Sequence, residues 1–250
     1  MCLILFAWQA HARYPLVVAA NRDEFYARPA ARLAEWSDQP GLYAGRDLQA
    51  GGTWLGVTRD GRFAALTNYR DPQRVRTERP SRGALVSDFL RAPLRPAEYC
   101  AELAMRGGDY NGFNLLVGDR DELWCFSNFG DGATPVKPGI HGLSNHLLDT
   151  PWPKVHRGRT RFAELLAADE PDERALFALL GERQVATDAE LPATGISLEW
   201  ERALSPLFIT MPEYGTRCST VLLRDRDGDG RLIELDARSG DEVRLELSAA

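Results

Sequence analysis

The chemistry in this 250-residue chain begins at its second residue. Cys2 directly follows Met1 and opens the apolar run CLILFAW. Aminopeptidases that remove an initiator methionine favour a small second residue, and cysteine is one. Removal would leave a single residue carrying both a thiol and a free α-amine. The amine has a reference pKa of about 7.7–8.0 and the thiol about 8.5. Near neutral pH the amine can take the proton of its own thiol, directly or through a water, and no separate histidine is needed. On position alone the plainer reading is a small buried hydrophobe opening a strand, since free cysteine is among the most buried residue types.

Further side chains turn the reading toward chemistry. Arg22 and Asp23 end the next apolar stretch, PLVVAANRDEF. A hairpin would set both beside Cys2, where a guanidinium favours the thiolate and a carboxylate can orient the amine. Asn68 lies in FAALTNY and Asn145 closes GIHGLSN. Each offers an amide at a strand end to a developing oxyanion, a contact worth about 10²–10³ in rate. Arg217 begins the strand read in TRCSTVLL. Each has an ordinary use too: asparagine favours turns, and Arg–Asp neighbours are common surface pairs.

Positioning these groups falls to a particular run of elements. Leu3 to Trp8 and Leu16 to Ala20 are continuous apolar runs of strand length around QAHARYP, which reads as a hairpin buried on both faces. Gly51-Gly52 leads into TWLGV, a turn at RDGR and a return through FAALTNY, a second hairpin. A polar loop over 70–83 carries Arg70, Arg74, Arg76, Arg79 and Arg82. Ser81 is placed to cap a helix through ALVSDFLRA, and PAEYCAELAMR follows with Pro96 suited to a first turn. Then come strands FNLLVGD and LWCFSN, irregular strand pairing through PVKPGIHGLSN, and helices through WPKVHRGRTRFAELLAA and DERALFALLGE. The end is strand-rich: SPLFIT, TRCSTVLLRD, GRLIELDAR and EVRLEL. Helices grouped between antiparallel strands predict an α+β layered fold, stacked sheets with helices outside. No repeat or linker divides residues 1–250, so one domain is expected.

Composition narrows the function classes. A net charge of −6 argues against a general nucleic-acid binder. No apolar run approaches a membrane span, and the N-terminus lacks the basic start and cleavage site of a signal peptide. Four dispersed cysteines without CxxC fit a reducing cytoplasm and no zinc knuckle. No histidine pair has zinc-protease spacing, so no metal site is expected. His146, beside Asn145, is the best histidine for a pocket wall, though packing or surface exposure is the plainer expectation for each histidine. DRDGDG at 225–230 begins like a calcium loop, but its twelfth position is Asp236 rather than glutamate, and its flanks read as strands. A hairpin turn is expected there. AGGTWLG has no nucleotide fingerprint; its Trp54 is a candidate ligand contact. The arginines of 70–83 can receive a carboxylate, a phosphate or CoA, though Asp71 and Glu78 dilute them and a solvated loop is the plainer expectation.

The segments MCLILFAW, ANRDEFYARP, AGGTWLGV, ALTNYRDP, YNGFNLLVGD, GLSNHLLDTPWPKV and CSTVLLRD together resemble the NRDE-domain family, which includes the transport-and-Golgi-organisation proteins. That family in turn resembles the N-terminal nucleophile hydrolases of the choloylglycine and penicillin V acylase type. The resemblance implies an αββα four-layer sandwich and a cysteine, here Cys2, that hydrolyses an amide through an acyl-thioester. It implies Arg22 for the branch's arginine and Asp23 or Glu24 for its aspartate. It points to Asn145 through LSNH, and by order and strand context to Asn68 and Arg217. An N-terminal cysteine amidohydrolase acting on a small linear amide, without cofactor, is therefore expected. The rival expectation, also implied by the resemblance, is a non-enzymatic carrier in haem trafficking or in lipid and acyl-CoA metabolism, with Cys2 or His146 as axial ligand to haem. A module for secretory organisation is a third. The substrate and the oligomeric state are not set by any of these residues.

Overall fold

The computed structural model describes residues 2–248. Strands β1 (Cys2–Trp8) and β2 (Leu16–Phe25) form the first hairpin, with Cys2 opposite Arg22 and Leu3 opposite Asn21. Strands β3 (Ala30–Trp36), β4 (Gln39–Asp47), β5 (Leu55–Thr58) and β6 (Phe63–Asn68) follow. Helices α1 (Gly83–Arg91) and α2 (Pro96–Arg106) come next, then β7 (Phe113–Gly118), β8 (Leu123–Ser127), β9 (Gly132–Pro135) and β10 (Gly139–Leu143). Helices α3 (Pro153–Leu165), α4 (Glu173–Leu180) and α5 (Leu198–Ala203) precede β11 (Tyr214–Arg224), β12 (Gly230–Asp236) and β13 (Glu242–Leu247).

The strands make two antiparallel sheets. One has the order β10-β1-β2-β11-β12-β13, the other β3-β4-β5-β6-β7-β8-β9. Strand side chains alternate between faces, and that alternation builds the layers. Ile4, Phe6, Val18 and Ala20 point inward against Val57, Phe63 and Ala65 of the facing sheet. Leu3, Leu5, Val17 and Ala19 point outward beneath Val155 and Phe162 of α3 and Leu176 and Leu179 of α4. On the other outer face, Ala64, Leu66 and Leu115 lie under Leu85 and Phe89 of α1 and Tyr99 of α2. Both faces of β1 are covered, which is why its run is continuously apolar. The result is the expected α+β sandwich, two stacked antiparallel sheets with helices outside.

Several local expectations change. Ser81 does not cap α1: the residue before the helix is Arg82, and the Ser81 hydroxyl only meets the Gly83 N–H at 3.4 Å. PVKPGIHGLSN is not one pairing but a crossing. β9 pairs with β8 in one sheet and β10 with β1 in the other. SPLFIT contributes only a single bridge, Thr210 to Gly215. β3 and β4 arise from a stretch rich in Ala and Gly, where strand propensity is weak and pairing with each other and of β4 with β5 decides. The DRDGDG segment is the expected β11–β12 turn, with Gly228 at φ 93°. Among the described residues, no cluster of three His, Cys, Asp or Glu side chains could hold a metal ion, and no helix is long and apolar enough to cross a membrane.

Candidate active site

Cys2 opens into a cleft of about 400 Å³ at the end of the two sheets. Its walls include Arg22, Glu24, Trp54, Asn68 and Arg82. Antiparallel pairing sets Cys2 and Arg22 side by side. The Arg22 guanidinium is buried and stacks on the Trp54 ring, 4.2 Å from its centroid. That ring is accommodated because residue 45 is glycine; a Cβ there would overlap it. Burial pushes the Cys2 thiol up, and the Asp23 carboxylate adds to this, while Arg22 and the backbone N–H of Asp23 pull it down. A thiol raised on balance needs a base nearby before it can attack.

Asp23 is 1% exposed and accepts a hydrogen bond from Thr216 Oγ1 at 2.8 Å. Burial raises its carboxyl, and the ammonium of Lys154 is the leading influence against that. Glu24 stands at the rim instead and accepts from the N–H of Phe25. Asn21, the first residue of the NRDE tetrad, serves the scaffold. Its amide donates to Leu180 O and Leu207 O and accepts from Ser219 Oγ, tying β2 to α4, to the 207 segment and to β11.

The other expected residues divide. Asn68 lines the cleft, but Asn145, His146 and Arg217 do not. Asn145 is fully buried, and its Nδ2 donates to Asn68 O at 2.9 Å, so it fixes the strand end that carries Asn68. His146 Nδ1 bonds Thr150 Oγ1, and the ring lies between Tyr69 and Trp152. Arg217 donates to the carbonyls of Phe25 and Arg28, closing the turn after β2. A bulge between Thr216 and Cys218 takes Arg217 out of the regular register.

The arginine loop divides: residues 72–78, with Arg74 and Arg76, are exposed as expected, while Arg70, Arg79 and Arg82 are tied down. Arg70 is buried in an ion pair with Glu201 at 2.8 Å. Arg82 donates to Gly112 O and Arg79 to Gly108 O, and both guanidiniums line the cleft. Gly52 and Gly83 cross so closely that a Cβ on Gly52 would overlap the Gly83 backbone, and Thr53 N–H donates to Gly83 O. That crossing holds the two rims at a fixed width. Three supporting residues gave no signal of function in the sequence. Asn114 donates to Thr67 Oγ1 and His146 O; Ser144 Oγ donates to Cys2 O; Lys154 is buried at the start of α3. The one trace to find was at Lys154, a cation just inside a proline-started helix in PWPKV, which did not by itself indicate function. Met1, whose removal the nucleophile reading requires, lies outside the described residues.

Comparison with known proteins agrees with this architecture. Among solved structures, the C2A mutant of conjugated bile acid hydrolase from Clostridium perfringens superposes with a TM-score of 0.54 at 8% identity, covering 99% of this chain and 92% of that one. The Caenorhabditis elegans N-acylethanolamine-hydrolyzing acid amidase ortholog gives 0.51 at 10% identity, covering 89% and 92%. These likenesses are of fold alone, a sandwich of two stacked antiparallel sheets with helices outside. In sequence, the chain is 36% identical over 269 residues to the Transport and Golgi organization protein 2 homolog of Bos taurus, covering 99% of this chain and 97% of that protein. The Homo sapiens homolog is 34% identical, covering 91% and 90%. Residues 1–239 match the family described as Transport and Golgi organisation 2, and the chain belongs to that family.

Proposed function

We propose that the chain is an N-terminal cysteine amidohydrolase acting on a linear amide of a small molecule. One observation carries the reading: Cys2, at the head of a strand, faces a cleft beside Arg22, with Asp23 buried next to it and Asn68 on the wall. The two structural neighbours, one named a hydrolase and the other an amidase, support it through fold.

In this reading Met1 is removed and the Cys2 amine takes the thiol proton. Sγ attacks the amide carbon, and the carbonyl oxygen becomes an oxyanion facing Asn68. The C–N bond breaks as the amine passes its proton to the leaving nitrogen, which departs as a free amine. Water then attacks the Cys2 thioester, giving a carboxylic acid and restoring the thiol. Asp23 rather than Glu24 is the site acid, because Asp23 is buried beside Cys2 and Glu24 stands at the rim. The guanidiniums of Arg79 and Arg82, each held by a backbone carbonyl at the cleft, favour a substrate with an anionic group away from the scissile bond.

Intact-mass analysis of the native protein, combined with an acyl-thiol probe, tests this. The expected result is loss of Met1 and one label on Cys2, abolished when methionine removal is blocked. A retained Met1 defeats the mechanism.

The same arginines favour a second reading, a carrier of an anionic ligand such as haem or an acyl-CoA. Here only Cys2 of the two axial candidates reaches the cleft. Hemin titration should then give a Soret shift that saturates at one per chain, is lost in C2S and is kept in H146A.

A further inference from the structure

Lys154 is 1% exposed, and its ammonium makes no hydrogen bond among the described residues. It is also the second residue of α3, where the helix dipole disfavours a cation. A buried cation at the wrong end of a helix is costly unless a fixed negative charge offsets it.

The fold supplies one. Successive residues of β2 leave the sheet on opposite faces. Val17 and Ala19 point into the layer covered by α3 and α4, and Asn21 bonds the end of α4. Asp23 continues that face. Trp152 and Val155, on either side of Lys154, belong to the same layer and pack with Leu3 and Leu5 of β1. Lys154 and Asp23 therefore share one dry layer behind the strand end that carries Cys2.

The other groups around the pair do not replace this partnership. Arg70 is neutralised by Glu201. The amino-terminal charge also acts on Asp23, and Cys2 on β1, Glu24 on β2 and Tyr214 on β11 are the further titratable groups around the pair. Burial pulls Lys154 down to about 8, with Asp23 the leading opposing influence.

We propose that Lys154 is a positioning residue for Cys2, the fixed counter-charge that keeps the Asp23 carboxylate anionic so that it can hold and orient the amine of mature Cys2. This rests on the N-terminal nucleophile reading, and its test reads Asp23 directly. In the full chain labelled with ¹³C at aspartate carboxyls, K154M should raise the Asp23 titration midpoint by about one unit or more, the scale set by a nearby opposite charge. K154R, which keeps the charge, should hold it near wild type. An unmoved midpoint in folded K154M overturns the proposal. A purely structural lysine would lower the melting temperature in K154M and leave the midpoint in place.

Should K154M fail to fold, reciprocity provides the same test. In D23N with ¹³C-labelled lysines, the Lys154 midpoint should fall, and no fall overturns the pairing. Labelling of wild-type Cys2 by the acyl probe separates the two ideas. A moved Asp23 midpoint without labelling upholds the pairing and defeats the hydrolase reading. With labelling, K154M should shift the pH profile of the labelling rate.

Discussion

Successive residues of the NRDE tetrad leave β2 on opposite faces, and that gives them different work. Arg22 turns to the cleft and stacks on Trp54. Asn21 and Asp23 turn to the helices, one as a clamp on β11 and the α4 end, the other bonded to Thr216 in the layer that α3 covers. Arg22 acts on Cys2 as a charge, but its place depends on a planar group lying on a ring, which lysine cannot reproduce. R22K should therefore misplace the charge and R22L remove it. In R22L the Cys2 thiol rises further, and alkylation at neutral pH should slow by about tenfold, the effect of one unit in thiol pKa. Stopped-flow alkylation across pH 6–10 checks this; R22K should fall between wild type and R22L.

Two joints set the cleft at the level of elements. The first is the crossing of Gly52, before β5, with Gly83, at the start of α1. G52A forces backbone against backbone, where no flexible side chain can yield. It should cost about 1–3 kcal/mol, as overpacking does, seen as a lower denaturation midpoint, with slower Cys2 labelling from the displaced rims. The second joint pins β10 to the segment that leads into α3. His141 Nδ1 meets Asp149 Oδ2 at 2.7 Å, and its Nε2 meets Lys137 O at 2.9 Å. Both ring nitrogens face acceptors, so the geometry suits the imidazolium, which alone donates from both. Burial is the largest single influence and opposes that charge, but the Asp149 bond, the Lys137 carbonyl and the Asp149 charge together outweigh it and raise the His141 pKa. A raised folded pKa means stabilisation that is complete below about 6.5, the unfolded value, and lost as pH rises through the folded value. Thermal melts should show the wild type losing stability across that window, and H141N should lack the slope.

At the scale of the whole molecule, both sheets bury one shared interior, so neither keeps its core without the other. Phe6 lies at its centre, fully buried, with Phe63 of the facing sheet in the same cluster. F6A should cost about 3–5 kcal/mol. Calorimetry should show one transition moved down, with van't Hoff and calorimetric enthalpies still equal. Two transitions would mean that the sheets melt separately.

The layered fold was legible in the sequence because burial on one or two faces leaves a period in the residue types. CLILFAW and PLVVAA read as doubly covered strands, and they are. β3 and β4 were not legible, because their Ala, Gly and Arg residues carry little strand signal and leave no clear alternation to read. The same division holds at the site. Cys2, Arg22 and Asp23 were brought together by a local hairpin, and a hairpin's register can be anticipated from short range. Asn145, His146 and Arg217 share motifs with the site but not its cleft. Which way they face depends on a crossing between sheets and a bulge in β11. Lys154 shows the limit most plainly. Its type and place in PWPKV were visible, but the partner that gives a buried ammonium its meaning lies 131 residues earlier in the chain. Local sequence determines which faces are apolar and where strands turn. Only tertiary packing decides which charges end in the same dry layer, because Coulomb interactions there depend on distance in space rather than along the chain.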